Sequence, residues 1–205
     1  MKTGKPERLL PMKLRNRCLF AIFSLTIPVF FHSSPGIAAS LTLLGGAFQR
    51  LSEPARTAEA GFSLSEQTWA ASYGGGAVLG LRNDKRLSFR IGVYYMPMQY
   101  TANLTDDVLN ETTPVSESYT FVRVPLGMSL KLLKAIELTG GVYYDQPVSQ
   151  NLEADYGVYV GGAVTLPFYG KTKLVIQPSY QMGLRTFGDA RNSDWSVLGG
   201  LSFGN

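Results

Sequence analysis

The side chains that most often carry proton transfer and nucleophilic attack are almost missing from this chain. Its 205 residues contain one histidine, His32, and one cysteine, Cys18. Both fall in an N-terminal stretch built like a secretory leader. Lys2, Lys5, Arg8, Lys13, Arg15 and Arg17 come first, an apolar run over residues 18–31 follows, and Pro35, Gly36, Ile37, Ala38 and Ala39 close it. Cleavage near Ala38 or Ala39 is expected. It removes imidazole and thiol together, leaving serine–histidine, aspartate–histidine and thiolate mechanisms without a base or a nucleophile. The fourteen-residue run, broken by Pro28, is shorter than the roughly 20 residues of a helical anchor. Gly170-Lys171-Thr172 has the ending of a phosphate-binding loop, but Thr165 stands where its first glycine belongs. Asp106, Asp107, Glu111 and Glu117 make an acidic stretch without the ligand spacing of a calcium loop. No catalytic residue, metal ligand set or cofactor is expected.

Without residues 1–39 the chain keeps 13 basic and 14 acidic residues, a net charge of −1. The pI of 9.2 therefore belongs to the precursor and gives no footing for nucleic-acid binding. What remains chemically distinctive is a sparse set of polar side chains, Arg90, Arg123, Glu137, Gln177 and Arg185, each set among apolar or small residues.

The elements that position them read as eight strands, at residues 40–50, 67–82, 86–101, 117–131, 135–146, 155–168, 172–187 and 194–203. In the third, Leu87, Phe89, Ile91, Val93 and Tyr95 alternate with Ser88, Arg90, Gly92, Tyr94 and Met96. In the seventh, Leu174, Ile176, Pro178 and Tyr180 alternate with Val175, Gln177, Ser179 and Gln181. Pro97 and Pro178 are departures, because proline removes a ladder donor. Connections alternate short and long, with tight turns at residues 83–85, 132–134 and 169–171 and long loops at 51–66, 102–116, 147–154 and 188–193. Residues 104–111 are compatible with a short loop helix.

This pattern predicts an all-β fold, an eight-stranded antiparallel up-and-down transmembrane β-barrel over residues 40–205, behind a cleaved signal peptide over residues 1–39. In a small barrel the lumen has room only for side chains. Arg90, Arg123, Glu137, Gln177 and Arg185 are expected to point inward as a polar plug, with Arg123 and Glu137 paired across adjacent strands. Loss of Glu137 would then destabilise the barrel. Trp69, Tyr95, Tyr144, Tyr156 and Trp195 are expected outside, as an aromatic girdle near the outer ends.

Three stretches, Tyr119-Thr120-Phe121-Val122-Arg123-Val124-Pro125-Leu126-Gly127, Gly140-Gly141-Val142-Tyr143-Tyr144 and Asp155-Tyr156-Gly157-Val158-Tyr159-Val160-Gly161-Gly162, resemble the bacterial outer-membrane β-barrel domain family, with its OmpA-, OmpX- and PorT-like barrels. Gln177-Pro178-Ser179-Tyr180-Gln181-Met182-Gly183-Leu184 and residues 195–203 continue the likeness. The resemblance implies a place in the bacterial outer membrane. It also implies that Phe203, near the chain end, is read by the outer-membrane assembly machinery, although Gly204-Asn205 follow it.

The functional expectation is a structural or surface-interaction protein. It would sit in outer-membrane lipid beside lipopolysaccharide, with outer loops open to an extracellular or envelope protein partner. A narrow channel for small or apolar solutes is the alternative, suggested by the small inward residues Ala70, Ser72, Gly74, Gly76 and Gly80. A soluble lipocalin-like carrier has the same strand number but the opposite polarity, apolar within and polar without.

Overall fold

The computed structural model describes residues 38–51, 62–82, 86–106, 108–148, 154–187 and 190–204, without the side chains of residues 185–191. The expected leader lies outside them except for Ala38 and Ala39, which already belong to the first strand. Among the described residues nine strands are formed: β1 (Ala38–Arg50), β2 (Phe62–Trp69), β3 (Ser72–Arg82), β4 (Leu87–Asp106), β5 (Glu111–Lys131), β6 (Ile136–Pro147), β7 (Asp155–Tyr169), β8 (Thr172–Phe187) and β9 (Ala190–Gly204). All pairings are antiparallel. β1 closes onto β9 from Ser40↔Gly204 to Arg50↔Asp194, and β4 pairs with β5, so the sheet is a closed ring. β2 and β3 both lie on β4, one beyond the other, and together serve as one wall strand. The fold is an eight-stranded up-and-down barrel.

Its polarity is inverted relative to a soluble protein. On β7 the outward residues Tyr156, Val158, Val160, Val164, Leu166 and Phe168 are all exposed. Twelve residues separate the ends of that strip, about 40 Å along a strand at ~3.3 Å per residue. A tilt of about 40° reduces this to roughly 30 Å, the thickness of a bilayer core. On β4, Leu87, Phe89, Ile91 and Tyr95 are exposed while Ser88, Tyr94 and Met96 are buried, and on β8 Ile176 and Tyr180 face out while Val175, Gln177 and Gln181 are buried. An apolar coat around a polar filling is what a barrel in lipid requires, because hydrocarbon cannot hydrogen-bond a polar surface.

At the tight-turn end the connections are short. β7 and β8 join through Gly170 and Lys171, with Gly170 at φ +58°, the left-handed conformation that glycine adopts without strain. The other end departs from expectation. Residues 102–106 and 111–116, expected as loop, belong to strands that pair from Thr101↔Ser116 to Asp106↔Glu111, and β2 adds a third strand along β4. Among the described residues no helix forms there. Asp106 instead caps the hairpin tip, its Oδ1 accepting from the amides of Val108 and Leu109 at 2.9 and 3.0 Å. The result is a three-stranded extension of β2, β4 and β5 beyond the barrel wall. Its outward face is hydroxyl and amide in character: Thr68 bonds Thr101 at 2.9 Å, Thr105 bonds Thr112 at 3.1 Å, and Gln99 donates to Ser116 at 2.9 Å.

The expected single strand over residues 67–82 is broken. Register shifts by one residue between Ser65 and Thr68, where Glu66 takes φ +50°. It shifts again between the Trp69↔Tyr100 and Gly75↔Tyr95 pairs. Pro97 sits opposite the second break and has no N–H to offer β3. Each extra residue exchanges inward and outward faces beyond it.

Candidate functional site

The polar filling converges on Arg123 of β5, which is 2% exposed. Its Nε and Nη2 donate to Asp145 of β6 at 2.7 and 2.6 Å, a two-point grip. Nη1 and Nη2 donate to Asp194 of β9 at 2.9 and 2.8 Å, and Nη1 also donates to Gln181 of β8 at 2.5 Å. The guanidinium lies 4.3 Å from the centre of the Tyr143 ring. Arg50 of β1 completes the cluster, its Nη2 4.0 Å from both carboxylates and its guanidinium 5.1 and 4.9 Å from the Trp69 and Phe121 rings. Two arginines against two aspartates make the group neutral. It ties five strands together through the middle of the barrel, near the loop end.

Below this clamp, Arg90 donates from Nη2 to Gln177 Oε1 at 2.8 Å across the lumen. Space remains in two places, about 30 Å3 between Arg123 and Arg90 and about 70 Å3 from Arg90 to the tight turns. These are spaces on the scale of a few waters, whose share of liquid volume is about 30 Å3 each. Glycine is used to admit rings: a Cβ on Gly127 would stand 2.3 Å from Tyr159 Oη, and one on Gly76 would stand 2.5 Å from the Tyr94 ring. Of the small residues that suggested a solute path, Gly74 and Gly76 make room for the rings of Phe48 and Tyr94. Ala70, one of them, is exposed rather than inward.

Of the expected plug, Arg90, Arg123, Glu137 and Gln177 face the lumen, and the side chain of Arg185 lies outside the described residues. The pairing is corrected. Arg123 does not meet Glu137, because the β5–β6 register puts Arg123 opposite Asp145 and Glu137 opposite Lys131. Glu137 accepts instead from Arg82 at 3.5 Å and Ser129 at 3.2 Å, close to the turns. Asp145, Asp194, Gln181 and Arg50 were not singled out in the sequence, although each shares the inward parity of its strand.

The girdle needs one correction too. Tyr95, Tyr144, Tyr156 and Trp195 are outward and exposed, with Tyr144 beside Tyr156 and Trp195 beside Tyr180. Trp69 points in. The bulge that follows it turns its ring to the interior, 5.6 and 5.8 Å from Tyr100 and Tyr119. At the opposite end Phe168, Tyr169 and Phe203 are exposed, a second aromatic rim of which only Phe203 was expected, and for another reason. In the acidic stretch, Asp106 is committed to its turn, Glu117 accepts from Tyr119 Oη, and Asp107 lies outside the described residues.

An inside-out, side-chain-filled eight-stranded ring is a transmembrane β-barrel. No family model matches the chain, and no curated protein sequence matches it. Among solved structures the chain is similar to Ail, the attachment invasion locus protein of Yersinia pestis, solved in complex with the heparin analogue sucrose octasulfate. That likeness has 11% identity and a TM-score of 0.47, and covers 80% of this chain and 99% of that one. It is also similar to the outer membrane protein OprG of Pseudomonas aeruginosa, at 10% identity and TM-score 0.46 over 82% and 96% of the two chains. The outer membrane protein AlkL, solved in lipid bilayers, gives 9% identity and TM-score 0.46 over 100% and 97%. At such identities the likeness is one of fold outline, and what this protein does has to follow from its own lumen and rims.

Proposed function

We propose that the protein is a small integral protein of the bacterial outer membrane with a structural or surface-contact role, in which the barrel is an anchor and not a conduit. The observation that carries this reading is the Arg123 clamp. Arg123, Asp145, Gln181 and Asp194 bond across the full width of the lumen, and a solute would have to break five hydrogen bonds, and with them two ion pairs, to pass. The exposed apolar belt argues against a soluble carrier. No reaction is assigned to the chain, and the surface offered to partners is the β2–β4–β5 extension. Its outward hydroxyl and amide face suits contact with an extracellular or envelope protein. Lipid and lipopolysaccharide surround the belt, and Phe203 on β9 is the residue offered to the assembly machinery.

The test is reconstitution of the full mature chain in planar bilayers, after membrane fractionation and gel migration with and without boiling have shown a folded barrel. The expected outcome is a heat-dependent mobility shift without steady unitary conductance. Reproducible conductance steps from heat-shifting protein would replace the anchor reading with the narrow-channel one.

A further inference from the structure

The two halves of the lumen differ in charge balance. In the clamp, two arginines face two aspartates. In the larger space toward the tight turns, Arg82, Arg90 and Lys173 line the wall with Glu137 as the one carboxylate among the lining residues. Glu137 is engaged by Arg82 and Ser129. Arg90 bonds a neutral amide, and among the described residues neither it nor Lys173 has a carboxylate within 4.0 Å. Among the described residues two half-buried cations thus remain without a counter-charge inside a narrow, hydroxyl-lined tube whose outer coat is apolar. Such a charge is costly without a counter-ion, and low-dielectric walls focus its field along the axis. The rim reinforces it. Among the described residues the four lysines, Lys131, Lys134, Lys171 and Lys173, all belong to the tight-turn end.

We propose that this vestibule is a binding site for a small oxyanion of the phosphate class, held by charge-assisted hydrogen bonds from Lys173 and Arg90, with hydroxyls such as Thr165 and Ser40 bordering it. About 70 Å3 of free space suits a tetrahedral anion rather than an extended solute. The site lies on the turn side of the clamp, so it stands or falls independently of whether the lumen conducts.

The experiment uses the folded mature chain in maltoside micelles, which carry no phosphate. Inorganic phosphate is titrated against chloride at matched ionic strength, and the midpoint of the heat-dependent mobility shift is read alongside 31P line width. Phosphate is expected to raise the midpoint and broaden the resonance beyond chloride. Lys173→Gln should weaken the response at least tenfold, and Arg90→Gln likewise. Glu137→Gln, which removes the competing carboxylate, should strengthen it several-fold. If Arg90→Gln fails to fold, Lys173→Gln at the half-exposed mouth and Glu137→Gln carry the test. Equal responses to phosphate and chloride, or an undiminished response in Lys173→Gln, would overturn the assignment. So would a response to phosphatidylglycerol vesicles with none to inorganic phosphate, which would move anion recognition to the rim of the tight turns at Lys131 and Lys134.

Discussion

At the scale of single residues, the two acidic partners expected and found for lumenal arginines differ sharply in worth. Arg123 is shut away with Asp145 and Asp194, whose side chains are 1% and 2% exposed. Replacing it by methionine leaves two buried carboxylates facing only Arg50 at 4.0 Å, and breaking a buried ion cluster in this way costs about 3–5 kcal/mol. Arg123→Met is therefore expected to lower the urea midpoint of unfolding strongly, or to abolish the heat-dependent mobility shift. Arg82 and Glu137 meet at 3.5 Å with 32% and 19% of their side chains exposed, and a pair so open to water is worth about 1 kcal/mol or less. Glu137→Ala should stay near the wild-type midpoint. Equal losses in the two variants would contradict the ranking. Sequence pattern located Arg90, Arg123 and Gln177 because inward phase follows from a two-residue period. It could not find their partners, since Asp145 meets Arg123 through inter-strand register and Asp194 meets it across the lumen, and neither relation is written in one strand's alternation.

At the scale of elements, alternation was informative where lipid lies on one side and filling on the other, and failed where that contrast ends. β4 and β8 follow their expected phase residue by residue. Trp69 does not, because the strand gains a residue between Trp69 and Gly75, and nothing in Ala70-Ala71-Ser72-Tyr73-Gly74 announces an extra residue. The β2–β4–β5 extension was read as loop because beyond the membrane both faces touch water or protein and the polar–apolar contrast fades. Its edges carry a consequence of their own. Thr120 O accepts from Val148 N at 2.8 Å, so Thr120 and the residues two, four, six and eight before it present their backbone groups away from β4. Among the described residues no strand pairs with β5 over positions 111–120 on that side. Pro114 stands in the middle of this open edge, where it withholds a donor from any strand that would add. Pro114→Thr restores the donor with a residue that favours strands. It is expected to shift the detergent-solubilised protein toward dimers or larger species in size-exclusion chromatography while the barrel's mobility shift persists. An unchanged elution volume would show that the edge is guarded by something other than the proline.

At the scale of the whole molecule, the described carboxylates and lysines, unlike the arginines, divide along the barrel axis. Of the described carboxylates, Asp145, Asp155, Asp194, Glu66, Asp106, Glu111 and Glu117 lie at the loop end or in the extension and Glu137 alone near the turns, whereas the described lysines, Lys131, Lys134, Lys171 and Lys173, all lie by the tight turns. The sorting follows from the fold and not from composition, because the net charge of −1 conceals it. It also makes orientation measurable with amine chemistry alone. If short turns face the periplasm and long connections face outward, as in other barrels of this architecture, every described lysine, and the amino terminus that cleavage of the expected leader would create, face inward of the membrane. A membrane-impermeant amine-reactive ester applied to intact cells should then leave the protein unlabelled, and the same reagent should label it heavily once the outer membrane is permeabilised. Labelling in intact cells at Lys131, Lys134 or Lys171 would invert the barrel. It would turn the phosphate-class vestibule toward the outside and put the β2–β4–β5 extension in the periplasm, where an envelope protein and not an extracellular one would be its partner.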